Sequence, residues 1–260
     1  MQLEAAKKSL KTVLPEEAWR MARDAVNCIL RYRHKFERQP PVGWVRFGSF
    51  RRVHPIDPDF GVRWGQIIDR YYIESFLEQY AADIQGHVLE IADDGYTQRF
   101  GGKRVSRSDV LHYTNDNPKA TIVADLIDAR DIPSNTFDCI ILTQTLQFIY
   151  DLHSAVQTLQ RILKPGGVLL VTCHGISQIS RHDMDLWGEY WRFTSLSARK
   201  LLTEVFPENC VSVQAYGNVL AAVAFLHGLI AQELGRNDLD YRDPNYEVIL
   251  GVRAFKPRAN

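Results

Sequence analysis

The chain has no net charge. Its 260 residues carry 31 Lys and Arg against 31 Asp and Glu, so no long-range field gathers nucleic acid or an anionic membrane. A nucleic-acid partner is therefore not expected. Paired cysteines are missing too. Cys28, Cys139, Cys173 and Cys210 are scattered and form no C-x-x-C pair, which excludes the usual metal-site spacing and a disulfide framework and points to a reducing compartment. Cys28, Cys139 and Cys173 sit in or beside apolar runs and read as small hydrophobes. No apolar run reaches the ~20 residues of a membrane span. The longest, residues 219–231, is interrupted by His227 and Gly228. The opening MQLEAAKKSLKTV has no apolar stretch of the signal-peptide kind. These absences predict a cytoplasmic protein with no metal and no membrane partner; oligomeric state is left open. No internal repeat or low-complexity tract is evident.

What is present is the composition of a globular chain, 45% hydrophobic. Pro15 followed by Glu16 and Glu17 marks a helix start. Trp19, Ala22, Val26, Ile29 and Leu30 continue it at helical spacing until Pro40, Pro41 and Gly43. Residues 44–64 are rich in aromatics and arginines without a clean period and read as an ordered arm. A helix over 66–80 presents Ile67, Ile68, Tyr71, Tyr72, Phe76 and Leu77 on one face. Beyond Gly86 the pattern changes to alternation. Strands are expected at 87–92, 103–108, 120–124, 137–142, 168–172, 211–216 and 246–254, with helices at 154–163, 195–206 and 218–234 between them. This predicts an α/β fold: a mostly parallel Rossmann-like sheet with helices on both faces, preceded by an N-terminal helical arm. The expected division is an arm over 1–64 and the main domain over 65–260.

In such a sheet a ligand binds outside the carboxyl ends of the strands, where strand order reverses. Three expected strand ends carry residues suited to a nucleoside. Glu90-Ile91-Ala92-Asp93-Asp94-Gly95 follows the first strand, a turn able to bring main-chain groups against a ligand. Asp109, about twenty residues beyond the first strand, is placed to accept hydrogen bonds from ribose hydroxyls. Asp125-Leu126 follows the third, an acid for an adenine amino group beside an apolar wall.

Residues 88–172 resemble the class I S-adenosylmethionine (SAM)-dependent methyltransferases of the type 11 group. The motifs that carry the likeness are Phe137-Asp138-Cys139-Ile140-Ile141-Leu142 and Leu163-Lys164-Pro165-Gly166-Gly167-Val168-Leu169-Leu170. Asp131-Ile132-Pro133 before Phe137 and the later Tyr190-Trp191-Arg192-Phe193-Thr194 add to it. The resemblance implies SAM as cofactor. It assigns Glu90, Ala92, Asp93 and Gly95 to the methionine part, Asp109 to ribose, Asp125 and Leu126 to adenine, and Thr143 and Gln144 to the floor beneath. Upstream, Arg70 would meet the SAM carboxylate, and Tyr71 or Tyr72 would flank the sulfonium or serve as core. One departure stands out: Ala92 and Asp94 occupy places where the group has glycines, on the expectation that Ala92 needs no positive φ. The acids of this loop repel a pyrophosphate and suit a cationic ligand, which argues for SAM over a dinucleotide.

Methyl transfer mainly requires alignment of a nucleophile with the methyl carbon, and a base where that nucleophile is a hydroxyl. His182, beside Asp183 and Asp185, is the first candidate base and His174 the second. Trp187, Trp191 and Arg192 are the candidate acceptor contacts, or packing residues that fix the segment. The expected activity is O-methylation of a small molecule or glycan. A non-methylating enzyme on the same fold, or a non-catalytic binding partner, is the alternative that the missing glycines leave open.

Overall fold

The computed structural model describes residues 15–258. The chain forms two compact units, Met1–Val53 and His54–Asn260. In the first, helix α1 runs from Glu16 to Arg38, as the Pro15 start predicts. Within it Val26, Cys28 and Ile29 are exposed, so Cys28 is not a buried hydrophobe. Residues 54–64, expected as part of the arm, belong to the second unit. Ile56 and Asp57 amides donate to the His227 carbonyl at 2.9 and 3.0 Å, and Phe60 packs on Phe225 at 5.6 Å between ring centres.

The second unit is built on seven strands: β1 Gly86–Ile91, β2 Val105–His112, β3 Ile122–Val123, β4 Phe137–Thr143, β5 Leu163–His174, β6 Val211–Tyr216 and β7 Ile249–Phe255. Their order is β3-β2-β1-β4-β5-β7-β6. The pairs β1·β2, β1·β4, β2·β3 and β4·β5 are parallel. β7 inserts antiparallel between β5 and β6. The strand order reverses between β1 and β4, which opens the crevice at their carboxyl ends.

Alternation along each strand splits the apolar residues into two cores. On one face Leu89, Ile140, Leu142, Leu169 and Val171 meet α3 (Leu152–Ile162) and α5 (Ser195–Thr203). On the other, Val88, Cys139, Ile141, Val168 and Leu170 meet α2 (Ile68–Gln79), α6 (Val219–Leu226) and α7 (Arg236–Asp240). The remaining helix, α4, is the short Arg181–Leu186. α3 starts where the Asp151 side chain accepts from the Ser154 amide at 3.1 Å, a good N-cap.

Two expected boundaries need correction. The second strand begins at Val105 rather than Lys103 because a helical turn, Thr97–Gly101 followed by Gly102–Arg104, occupies the approach. The helix expected over 218–234 stops at Leu226: Gly228 has φ +70°, and a Cβ there would lie 2.1 Å from the Asp57 carbonyl oxygen. The sheet is mostly parallel, as expected, with β7 the antiparallel strand. Among the described residues no helix is long and apolar enough to cross a membrane.

Candidate functional site

The site is built where β1 and β4 end. Beyond β1 the chain turns at Ala92, whose φ is +70°. Here the expectation fails: Ala92 does need the left-handed region, which costs an L-residue roughly 1–2 kcal/mol. The turn is fixed on both sides. The Ala92 amide donates to the Leu111 carbonyl at 3.0 Å, and Asn117 Nδ2 donates to the Ala92 carbonyl at 2.7 Å. Asp93 Oδ1 then accepts from the Gly95 amide at 2.9 Å, a side-chain turn that shapes the loop without glycine.

Glu90 is the anchor of this loop. It is only 2% exposed. Its carboxylate accepts from the Thr97 amide and hydroxyl, both at 2.7 Å, and from the Tyr96 amide at 3.2 Å. Burial pushes Glu90 up to about 7, despite the lowering effect of those hydrogen bonds. Arg70, exposed on α2, donates to the Tyr96 hydroxyl at 2.8 Å, so α2 and the loop after β1 are tied together, as a shared site requires.

Across the crevice, Thr143 ends β4 and Gln144 follows with φ +47°. The Gln144 amide donates to the Thr172 carbonyl at 2.9 Å, and Gln147 Nε2 donates to Gln144 Oε1 at 3.0 Å. Two non-glycine residues in the left-handed region thus stand on the two strands that flank the point of reversal. Such strain persists only where surrounding structure enforces it, and it concentrates at functional sites.

Asp109 is not at a strand end. It pairs with Leu89 three residues before β2 finishes at His112, and its side chain is already engaged. His87 Nε2 lies 2.6 Å from Oδ2, the Thr121 hydroxyl donates to Oδ1 at 2.9 Å, and Arg107 Nη2 stands 3.0 Å from Oδ2. Burial alone would raise its pKa, but these three partners outweigh it and hold Asp109 below the ordinary carboxylate range. The residue at the carboxyl end of β2 is His112, whose Nδ1 faces the Thr114 main chain and hydroxyl.

Other expected contacts also resolve. Asp125 follows β3, and its Oδ1 accepts from the Ile127 amide at 3.0 Å. Leu126 is buried in the apolar core. Tyr71 is turned to α7, where its hydroxyl meets Asp240 Oδ1 at 2.5 Å, and Tyr72 is core. Trp191 donates its Nε1 proton to the Ile149 carbonyl at 3.0 Å. Arg192 pairs with the buried Glu189 at 2.7 Å and donates to the Gln178 carbonyl. Trp191 and Arg192 therefore fix the segment after β5. Trp187 reaches further: its ring meets His112 and Tyr113 edge-on, with centroids 5.8 and 6.1 Å apart.

Of the two candidate bases, His182 is exposed on α4. His174 ends β5 and is buried. Its Nε2 stands 3.5 Å from Asp69 Oδ2 on α2. Asp69 Oδ1, Gln147 Oε1 and both ring nitrogens of His174 are buried without hydrogen-bond partners; Ser108 Oγ, elsewhere on β2, is another such atom. Each unmet group costs about 1–3 kcal/mol. Asp69 and Tyr96 adjoin residues that the sequence singles out but received no role from it, and Thr97 and Gln147 carried no sequence signal; burial and partner geometry bring out all four.

The residues after β1 and β4 fit a nucleoside bearing positive charge: a buried acid behind the loop, further acids on it, and a backbone held open at Ala92. The ribose contact expected of Asp109 is the part that does not fit. Comparison with known proteins agrees with this fold. A family model described as a methyltransferase domain matches residues 59–171. A ubiquinone/menaquinone biosynthesis C-methyltransferase of Pasteurella multocida is 33% identical over 78 residues, 30% of this chain and 27% of that one. Its counterpart from an Enterobacter strain is 46% identical over 44 residues, 17% of this chain and 18% of the relative. The match thus spans about a quarter or less of these relatives' length. Among solved structures, a putative sarcosine dimethylglycine methyltransferase from Galdieria sulphuraria superposes with a TM-score of 0.51 at 14% identity, covering 77% of this chain and 94% of that one. The [4+2]-cyclase SpnF superposes at 0.50 and 14% identity, covering 80% and 89%. These last two likenesses concern the fold.

Proposed function

We propose that this chain, whose residues 59–171 match a methyltransferase domain, is a SAM-dependent methyltransferase that transfers the methyl group of SAM to a hydroxyl of a small molecule or glycan. The observation that carries this reading is the pair of left-handed residues, Ala92 just after β1 and Gln144 just after β4, the two strands that flank the strand-order reversal. SAM, when bound, supplies a methyl carbon activated by a positively charged sulfur. Glu90, Ala92, Asp93 and Gly95 would hold its methionine part, with Arg70 as the carboxylate partner and Thr143 and Gln144 beneath. Acids at the loop favour that cation. The enzyme's remaining task is to align the acceptor oxygen with the methyl carbon, exclude water and receive one proton. His174 suits the last role better than His182, because the fold brings it to the carboxyl edge and buries it.

The test has two stages. Calorimetric titration with SAM and S-adenosylhomocysteine should show binding of both. Formation of S-adenosylhomocysteine should then depend on a hydroxylated acceptor, with catechol and methyl glucoside as first probes and glycine as the amine control. Binding without transfer to any hydroxyl compound sinks the acceptor class. Binding of neither nucleoside sinks the whole reading.

A further inference from the structure

Asp69 and His174 lie outside every motif that marks the family resemblance, yet they meet at the carboxyl edge. β5 places Val168, Leu170, Thr172 and His174 on one face by simple alternation. The first two are core, and Thr172 takes the Gln144 amide group. His174 is the last of the row, where the sheet ends. Opposite it, α2 begins at Ile68 and sets Asp69 in its first turn, 8% exposed. Phe225 lies beside the imidazole, 6.1 Å away between ring centres.

Both residues are more than nine-tenths buried, and both have hydrogen-bonding capacity that the protein leaves unmet: Oδ1 of Asp69 and both ring nitrogens of His174. Buried polar groups are otherwise paired almost without exception. The contrast within this molecule is direct. His87 and Asp109 form the same kind of pair, but at 2.6 Å and with Thr121 and Arg107 completing the carboxylate. That pair is finished. The Asp69–His174 pair, at 3.5 Å, is unfinished, with Nδ1 on the far side of the ring buried and unpartnered.

We propose that His174 is the proton acceptor for the substrate hydroxyl and that Asp69 is its positioning residue, the missing partner of His174 Nδ1 being the acceptor's O–H group. The inference rests on the hydroxyl-acceptor reading above. Asp69 faces Nε2, so it favours the tautomer with the proton on Nε2 and leaves the Nδ1 lone pair free. In the transfer, the acceptor oxygen forms a bond to the methyl carbon while the carbon–sulfur bond breaks, its electron pair passing to sulfur. The O–H bond breaks, its pair remaining on oxygen, and the proton goes to Nδ1. The imidazolium so formed stands beside the Asp69 carboxylate, in surroundings too dry to screen the attraction. Because Asp69 is on α2 and His174 on β5, the pair exists only when α2 is docked on the sheet. The same helix carries Arg70 to the loop that would hold the cofactor.

The experiment uses the full-length protein and the variants Asp69→Asn and His174→Gln, with His182→Ala as control. Nitrogen-15 spectra of histidine-labelled protein, with His174 assigned by its loss in His174→Gln, report folding and the tautomer together. The expected result is an Nε2–H tautomer in the wild type that Asp69→Asn disturbs. With SAM and catechol or methyl glucoside, whichever is methylated faster, both variants should lose roughly 10²–10⁴-fold in kcat. Their SAM Kd should stay within about twofold, and His182→Ala should keep near wild-type turnover. Wild-type kcat in folded Asp69→Asn and His174→Gln, or an Nδ1–H tautomer at His174, overturns the dyad alone. Parallel loss of SAM affinity also overturns it, making the pair part of the cofactor pocket. Absence of transfer to any hydroxyl compound overturns the parent reading and this inference with it.

Discussion

Ala92 and Glu90 show how single residues shape the crevice in different ways. Ala92 stands in the left-handed region, with its amide and carbonyl both held. Glycine there removes the roughly 1–2 kcal/mol of steric cost and loses about 0.5–1 kcal/mol through the freer unfolded chain. Ala92→Gly should therefore raise stability by about 0.5–1 kcal/mol in urea unfolding, with SAM binding retained. A less stable variant would mean the Ala92 methyl packs usefully. Glu90 makes a pH-dependent contribution. Its pKa is about 7 when folded against an ordinary 4.5. Between those values the native state keeps a proton that the unfolded chain has released, so stability falls as pH rises through that window and stays lower above it. The amount is up to about 3 kcal/mol. Glu90→Gln should remove that slope between pH 5 and pH 8. Gln retains an acceptor for Thr97 but turns a donor toward the Tyr96 amide, so some stability is lost at pH 5. The acid at 90 was legible in the sequence as a motif position, but its burial was not. Asp109 shows the opposite failure: the spacing found a carboxylate, but a strand that starts later and runs on to His112 leaves it inside the sheet.

At the scale of elements, the alternation of strands and helices was readable because buried parallel strands such as 137–142 and 168–172 are mostly apolar and about half β-branched. The direction of an individual strand was not readable, so the antiparallel insertion of β7 could not be assigned from sequence. Nor was the course of the segment after β5. It leaves the sheet at His174, and Trp187 touches rings at the end of β2, three strands away beyond β4 and β1. It therefore crosses the mouth of the crevice. Glu189 stiffens it from within, accepting from the Ser180 amide at 3.0 Å and pairing with Arg192. Edge-on aromatic pairs contribute about 0.5–1.5 kcal/mol each. On this basis Trp187→Ala should weaken S-adenosylhomocysteine binding about two- to tenfold by calorimetry, more than it changes the KM of an acceptor. The reverse ranking would return Trp187 to the acceptor side. His182, exposed on α4, should tolerate Ala with turnover within a few-fold.

The whole molecule divides its work between two units, and the larger one contains everything assigned to the site. All seven strands, both apolar cores and the residues from Asp69 to His174 lie within His54–Asn260. That unit begins earlier than the sequence suggested. Buried Asp57 explains the difference: it gathers the Asp59 and Gly61 amides, Arg63 and Trp64 Nε1 around one carboxylate. Burial would raise its pKa, but those partners outweigh it and hold Asp57 below the ordinary carboxylate range. An aromatic and arginine-rich stretch has no period to announce such a knot, so 54–64 read as arm. A unit with its own cores and its own sheet is expected to fold alone. A chain beginning at His54 should therefore unfold in one cooperative transition, and its SAM affinity should lie within about threefold of the full-length value. Starting at residue 65 instead removes Asp57 and Phe60, so the contacts at His227 and Phe225 are lost and the melting temperature should drop by several degrees. If the His54 chain folds but no longer binds SAM, residues of the first unit contribute to the cofactor site. If the residue-65 chain melts at the same temperature as the His54 chain, the Asp57 knot is not part of the folded core.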